Sequence, residues 1–330
     1  MRIALATEAF YPAVDGTTRT VKAVADRLID TGHEVAVIAP GPGLASYRGS
    51  PVVRTGIRLR LGSQVGTALA DLRPDLVHLA SGGPLGRTAR GEARRLGIPT
   101  LELAPGSWLP GVDCAAFNPG LRDPWLHASW SRGRSCSGHS RSGHSRSGHS
   151  GGPLVVVGFV GPLEAHHGVR RLAGLATLPG IRPVVIGDGS MRGWLEARLP
   201  GARFTGALAT GDLAVALASL DVLVHPGDTE TCCHALREAA ASGIPVVAPR
   251  SGGATHVVRS LETGLLHDPE DSGGFLRAVG AVAADPHRAL LGARARELAL
   301  ERDWGKAVDE LVERHYLPLL GRGDRISPAA

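Results

Sequence analysis

Apolar residues along this chain fall into short unbroken runs, separated by longer stretches where they recur every third or fourth position. Runs of the first kind read as strands buried on both faces, and stretches of the second kind as helices with one apolar face. In the N-terminal part the runs predict strands at Arg2–Thr7, Glu34–Ala39, Leu76–Leu79 and Thr100–Leu103. Between them, Thr17–Thr31 sets Val21, Val24, Ala25 and Leu28 at helical spacing before Gly32, and Pro84–Leu96 forms a second helical stretch closed by Gly97. A fresh alternation starts at Leu154. Its strands are expected at Leu154–Val160, Pro183–Ile186, Val222–His225 and Pro245–Ala248, and its helices at Val169–Ala176, Met191–Leu199, Asp212–Ser219 and His234–Ser242. Each alternation predicts a doubly wound parallel sheet, so the fold class is α/β with two Rossmann-like domains.

The stretch between the two alternations is different in kind. Ser131–Gly152 carries Gly-His-Ser-Arg-Ser in tandem from Gly138 to Ser150, with no apolar residue to bury, which predicts a disordered linker. The expected organisation is a first domain over 1–107, an interdomain segment over 108–152 and a second domain over 153–285. Amphipathic helices follow over 286–320, able to pack on either domain, and then a tail over 321–330.

Charge narrows the partners. The formal net charge is +5, from 36 Lys and Arg against 31 Asp and Glu, and only Lys22 and Lys306 are lysines. The arginines are scattered without interleaved aromatics, which argues against nucleic acid; a phosphate-bearing ligand or an anionic membrane surface suits the charge as well. There is no run of 18 apolar residues, and Met1-Arg2 leads straight into a strand. The expectation is a cytoplasmic protein, with any membrane contact peripheral and at the inner face. Cys114, Cys136, Cys232 and Cys233 lack CxxC or metal-ligand spacing and read as reduced thiols. His139, His144 and His149 recur every five residues, which fixes no ligand geometry. Neither a metal nor any other cofactor is expected.

In open parallel sheets, ligands meet the loops at the carboxyl ends of the strands. After the first predicted strand, Gly16 sits at a helix N-terminus, as a place where a backbone N–H could approach a phosphate or as the glycine of an ordinary tight loop. Gly187-Asp188-Gly189 follows another strand, as a nucleotide-pocket loop or as an ordinary turn. The strongest signal is Glu230-Thr231-Cys232-Cys233-His234-Ala235-Leu236-Arg237-Glu238, with Ile244-Pro245-Val246-Val247-Ala248 behind it. Glu230 lies in a strand-to-helix turn and Glu238 about two turns into a small-residue helix. Both carboxylates are thereby aimed where sugar and ribose hydroxyls would donate to them.

This pair resembles the E-x7-E motif of glycosyltransferase family 4. The likeness extends to Arg2–Gly16, Gly32-His33-Glu34-Val35, Arg73-Pro74-Asp75-Leu76-Val77-His78-Leu79-Ala80-Ser81, Gly97-Ile98-Pro99-Thr100, Gly187–Gly189, Gly252-Gly253 and Thr263-Gly264-Leu265-Leu266. It covers roughly 1–104 and 108–285 and extends to a resemblance to actinobacterial GDP-mannose-dependent α-mannosyltransferases. The resemblance implies a GT-B fold, two Rossmann-like domains facing a cleft, and retaining hexosyl transfer from a nucleotide-diphosphate sugar such as GDP-mannose to a lipid or glycan acceptor. It implies a catalytic-centre role for Glu230, ribose contact by Glu238, diphosphate contact by Gly16, and a nucleotide pocket shaped by Gly187, Asp188 and Gly189. Such enzymes stabilise the leaving group with cations and helix N-termini, without an obligatory metal.

Two departures from the family pattern stand out. Where a G-R-L-x-x-x-K run is usual, this chain has Gly161-Pro162-Leu163-Glu164-Ala165-His166-His167, with Pro162 for the arginine and His167 for the lysine. Histidine carries little charge at neutral pH, and Glu164 adds charge of the wrong sign. After Leu103, moreover, the chain passes directly to Trp108-Leu109-Pro110-Gly111-Val112-Asp113, as if the last units of the first domain were missing. His78 and Ser81 remain there as candidate acceptor contacts or turn residues. The departures open a second reading, a catalytically impaired remnant or pseudoenzyme that at most binds a nucleotide.

Overall fold

The computed structural model describes residues 1–12, 16–56, 60–104, 106–132, 152–228 and 233–321. Along the chain the elements are β1 (Arg2–Ala6), α1 (Gly16–Asp30), β2 (Glu34–Pro40), β3 (Ser46–Tyr47), β4 (Ser50–Thr55), α2 (Leu61–Leu72), β5 (Leu76–Leu79), α3 (Pro84–Arg95), β6 (Thr100–Glu102) and α4 (Pro124–Ser131). Then come β7 (Val155–Val160), β8 (Ile181–Ile186), α5 (Arg192–Glu196), β9 (Arg203–Gly206), α6 (Thr210–Ala218), β10 (Val222–Val224), α7 (His234–Ala241), β11 (Val246–Pro249) and β12 (Gly264–His267). Helices α8 (Gly274–Ala284), α9 (Arg288–Leu300) and α10 (Trp304–Leu311) follow, and a π-helical turn at Val312–Tyr316 closes the run. The repeat expected to be disordered and the end of the tail, from 322, lie outside the described residues.

These elements form two compact units, 1–111 with 302–330, and 112–301. The first unit holds a six-stranded sheet in the order β3-β4-β2-β1-β5-β6, parallel throughout except for the β3/β4 pair. Its central strands are buried on both faces: all of β5 (Leu-Val-His-Leu) is buried, as is β1 after Arg2. One face packs Ile3, Leu5, Val35 and Val37 against Val21, Val24 and Leu28 of α1; the other packs Ala4, Ala6 and Ile38 against Val65 and Leu69 of α2 and Leu85 and Ala89 of α3. Each fully buried valine or leucine there stabilises the unit by about 1.5–3 kcal/mol.

The helical tail is split between the units. Helix α9 packs on α7 in the second unit, whereas α10 returns to α1 of the first. There Arg27 makes a bidentate pair with Asp309 at 2.8 and 2.6 Å, and the Trp108 indole N–H donates to the Ala307 carbonyl at 2.7 Å. The expected boundary after 107 thus falls instead at Gly111, and the first unit is built from two separate lengths of chain.

The second unit holds six parallel strands in the order β12-β11-β10-β7-β8-β9. The run expected as a helix over Val169–Ala176 is a 3-10 helix over Val169–Thr177. At the amino edge of this sheet, Asp221 accepts from Val156 N–H and Arg122 and faces His127 Nε2 at 3.0 Å, which ties α4 to the sheet. The buried Arg182 donates to the carbonyls of Trp130 and Arg132 at the end of the same helix. No described helix is long and apolar enough to cross a membrane.

Candidate functional site

In both sheets the winding direction reverses beside the first strand of the unit, between β1 and β5 and between β7 and β10. Such reversals leave a crevice at the carboxyl ends of the strands where α/β proteins take their ligands.

In the second unit the crevice is framed by the turns after β7 and β8, which are laced together. Gly161 N–H donates to Ile186 O at 3.0 Å, Leu163 N–H to Asp188 O at 2.9 Å, and Met191 N–H to Leu163 O at 2.8 Å. Gly187 has φ +143°, and a Cβ there would run into the Gly161 carbonyl, so only glycine fits. The three residues Gly187, Asp188 and Gly189 are thus brought against the Gly161–Glu164 turn. Asp188 is engaged within its own loop: its carboxylate accepts from Gly189 N–H at 2.8 Å and from Arg192 at 2.9 Å, which hold it below the ordinary aspartate range.

Glu164 differs from its sequence expectation. Its carboxylate accepts from the Ser190 hydroxyl at 2.5 Å and the Ser190 N–H at 3.0 Å, and these bonds lower its pKa. Rather than standing as loose negative charge, it clasps the two turns together. Pro162 is exposed; His167 is half-buried in a 3-10 turn, its ring 4.2 Å from that of His166.

After β10, His225 is buried, and the run Pro226–Asp228 is held by two side chains. Arg171 donates to the Pro226 carbonyl at 2.5 Å and pairs with Asp228 at 2.9 Å, while the Ser251 hydroxyl donates to the Asp228 carbonyl at 3.0 Å. The Arg171 guanidinium keeps the Asp228 carboxyl below its usual range. Arg171, Asp228 and Ser251 were not singled out by the sequence reading. Asp228 and Ser251 carry only the signal of following strands, and Arg171, inside the 3-10 helix Val169–Thr177, carries none.

This run leads into 229–232, which include Glu230 and lie outside the described residues. On the far side Cys233 has φ +46°, a left-handed conformation that costs a non-glycine residue about 1–3 kcal/mol and that clusters at functional turns. Helix α7 starts next, and Glu238, the second carboxylate of the pair, is 7% exposed in its middle. At the end of β12, His267 is buried, with Nδ1 3.1 Å from the Asp268 carbonyl, and burial lowers its pKa.

In the first unit Gly16 opens α1 and is exposed. His78 is not at the surface of the crevice. The residue is 6% exposed and its Nδ1 is 2.7 Å from the hydroxyl of the fully buried Tyr316, so it is a core partner of the returning tail instead of an acceptor contact. Burial pushes it down to about 4, leaving it uncharged at neutral pH. Ser81 stays at the crevice and accepts from Glu8 N–H at 3.1 Å. Among the described residues no group of three or more His, Cys, Asp or Glu is arranged to hold a metal ion. A cavity of about 380 Å³ lined by Arg2, Ile29, His33, Arg48, Leu72 and Pro74 opens at the amino ends of the strands, away from the crevice.

Comparison with known proteins agrees with this architecture. Residues 155–285 match the family described as "Glycosyl transferases group 1", and residues 14–140 match "Glycosyltransferase Family 4". The chain is 36% identical to a GDP-mannose-dependent alpha-mannosyltransferase of Mycolicibacterium smegmatis, covering 98% of each protein. It is 31% identical to one of Corynebacterium glutamicum, covering 99% of this chain and 91% of the relative. The first alignment spans 396 positions against a chain of 330 residues, so at least 66 of them fall opposite gaps in this chain. Among solved structures, Anabaena HepE bound to UDP and glucose superposes with a TM-score of 0.71 at 16% identity, over 95% of this chain and 99% of that one. WaaG, a glycosyltransferase involved in lipopolysaccharide biosynthesis, does so with 0.69 at 16% identity, over 94% and 99%. The fold is GT-B.

Proposed function

This chain belongs to glycosyltransferase family 4 and is a glycosyltransferase, and from that premise we propose that it moves mannose from GDP-mannose, with retention of configuration, to a hydroxyl of a lipid or glycan acceptor. The observation that carries the reading is the 31–36% identity, along nearly the whole chain, to three actinobacterial proteins named GDP-mannose-dependent alpha-mannosyltransferases. In this reading the nucleotide lies against the glycine-bearing turn Gly187–Gly189, Glu238 takes the ribose hydroxyls, and Glu230 stands by the transferred sugar. The departing diphosphate is stabilised by backbone N–H groups at helix starts, without a metal. Peripheral contact with an anionic membrane would accompany a lipid acceptor.

Pro162 and His167 favour a second reading, a nucleotide-binding remnant, because a diphosphate without its two cations loses about 1.5–3 kcal/mol for each charge-assisted contact. Radiolabelled GDP-mannose, incubated with the purified chain with and without methyl α-mannoside, separates the two. Release or transfer of label supports the transferase; GDP binding without turnover supports the remnant; absence of both sinks each reading.

A further inference from the structure

Glu8 stands at the crevice of the first unit, on the turn that leaves β1, and the family motifs give it no role. Its neighbour across the winding reversal is the turn after β5. The two turns are joined there, because Glu8 N–H donates to Ser81 Oγ at 3.1 Å and Ala80 N–H to Ala6 O at 2.9 Å.

The carboxylate is fixed with more care than a surface acid needs. Oε1 accepts from Leu85 N–H at 2.7 Å and from Gly86 N–H at 3.3 Å, amides in the first turn of α3. Helix α3 has no cap of its own, since its N-cap position is Gly83. Glu8 therefore supplies from 77 residues away the oxygen that a Ser or Asp normally supplies locally. Gly83 is part of the arrangement: a Cβ there would overlap the Glu8 carboxyl group.

Capping uses one oxygen, and the second is left over. Among the described residues nothing donates to Glu8 Oε2, no cation pairs with this carboxylate, and the side chain is half-exposed. The nearby Arg87 is turned to the Gly82 carbonyl at 3.0 Å, and Arg90 pairs with Glu102. A charged oxygen held rigidly at a switch point, with its lone pairs open, is a preorganised acceptor for an O–H donor, and such charge-assisted bonds are about twice as strong as neutral ones.

We propose that Glu8 is an acceptor-recognition residue: Oε1 locks the side chain onto α3, and Oε2 receives a hydroxyl of the sugar that is to be glycosylated. This rests on the transferase reading above.

The test compares the full chain with Glu8→Gln and Glu8→Ala. Glutamine keeps a carbonyl oxygen for the two α3 amides but replaces the charged acceptor with an N–H2 donor, whereas alanine removes the cap as well. With GDP-mannose as donor and methyl α-mannoside as acceptor probe, Glu8→Gln should raise the acceptor KM about tenfold or more. GDP affinity, donor hydrolysis in the absence of acceptor, and melting temperature should stay near wild type. Glu8→Ala should lose acceptor affinity and also melt earlier. An unchanged acceptor KM in Glu8→Gln, or equal losses of hydrolysis and transfer, would show that Glu8 is a cap and nothing else. If the wild-type chain neither hydrolyses nor transfers, the transferase reading falls, and saturation-transfer NMR with methyl α-mannoside decides for Glu8 separately. Saturation transfer seen with wild type and lost in Glu8→Gln upholds the proposal; equal signals, or none with wild type, overturn it.

Discussion

Acid should loosen the first unit through a single buried group. His78 is held near pKa 4 by burial beside Tyr316, against an ordinary 6.5 in the unfolded chain. Below pH 6.5 the unfolded chain takes up a proton that the folded unit refuses. The contribution of His78 is therefore complete above pH 6.5 and is lost as the pH falls towards 4. At 1.36 kcal/mol for each pH unit, a gap of that size removes about 3 kcal/mol, a large part of the margin of a domain. The comparison is with His78→Gln, which cannot titrate. Asp26 and Asp221, also held below the usual range, are present in both proteins and cancel. Urea unfolding is followed by fluorescence with Trp125, Trp130 and Trp194 replaced by Phe, which leaves Trp108 and Trp304 of the first unit to report. At pH 7 wild type should be the more stable by about 1–3 kcal/mol, the cost of disturbing a buried hydrogen bond; by pH 4 that advantage should vanish or reverse. Profiles that stay parallel within about 0.5 kcal/mol from pH 7 to pH 4 would refute the assignment.

Three further outcomes are expected. Glu238→Ala should weaken GDP binding about tenfold, and Glu230→Ala should cut turnover more than binding, measured by calorimetry and single-turnover kinetics; equal negligible effects would remove both from the site. Pro162→Arg with His167→Lys should tighten GDP binding by at least about tenfold at pH 8, and an unchanged Kd would mean that these positions do not face the diphosphate. Gly187→Ala should lower the melting temperature and GDP affinity together, since the loop must open to admit a Cβ at positive φ; a variant with wild-type values would show that the turn yields cheaply.

Strands buried on both faces were the most legible part of the chain. β1, β2, β5, β7, β8, β10 and β11 lie where continuous apolar runs placed them. The strands β3, β4, β9 and β12 passed unseen. β4 opens Ser-Pro at the outer part of its sheet, and β9 holds a single large apolar residue, Phe204, so neither shows a run. The helix expected after Gly168 is wound as 3-10, a difference of backbone winding that apolar spacing does not reveal. Side-chain charge was legible and side-chain partnership was not. Glu164 read as misplaced negative charge because its partner, Ser190, comes from another turn. Glu8 escaped notice because its partners are backbone amides, which leave no mark in the pattern of side chains. The trace it did leave was negative, a helix starting Gly-Gly-Pro with no capping side chain of its own.

The return of α10 to α1 sets an order of events during synthesis. The second unit is one unbroken length of chain and has all its strands once residue 301 has emerged. The first unit begins earlier but lacks Ala307, Val308, Leu311 and Tyr316, four fully buried members of its core, until the segment after Arg302 has been made. The unit whose chain is made first is thus the last to receive all of its buried side chains, since the segment that completes its core on the α1 side is made only after the whole of the second unit.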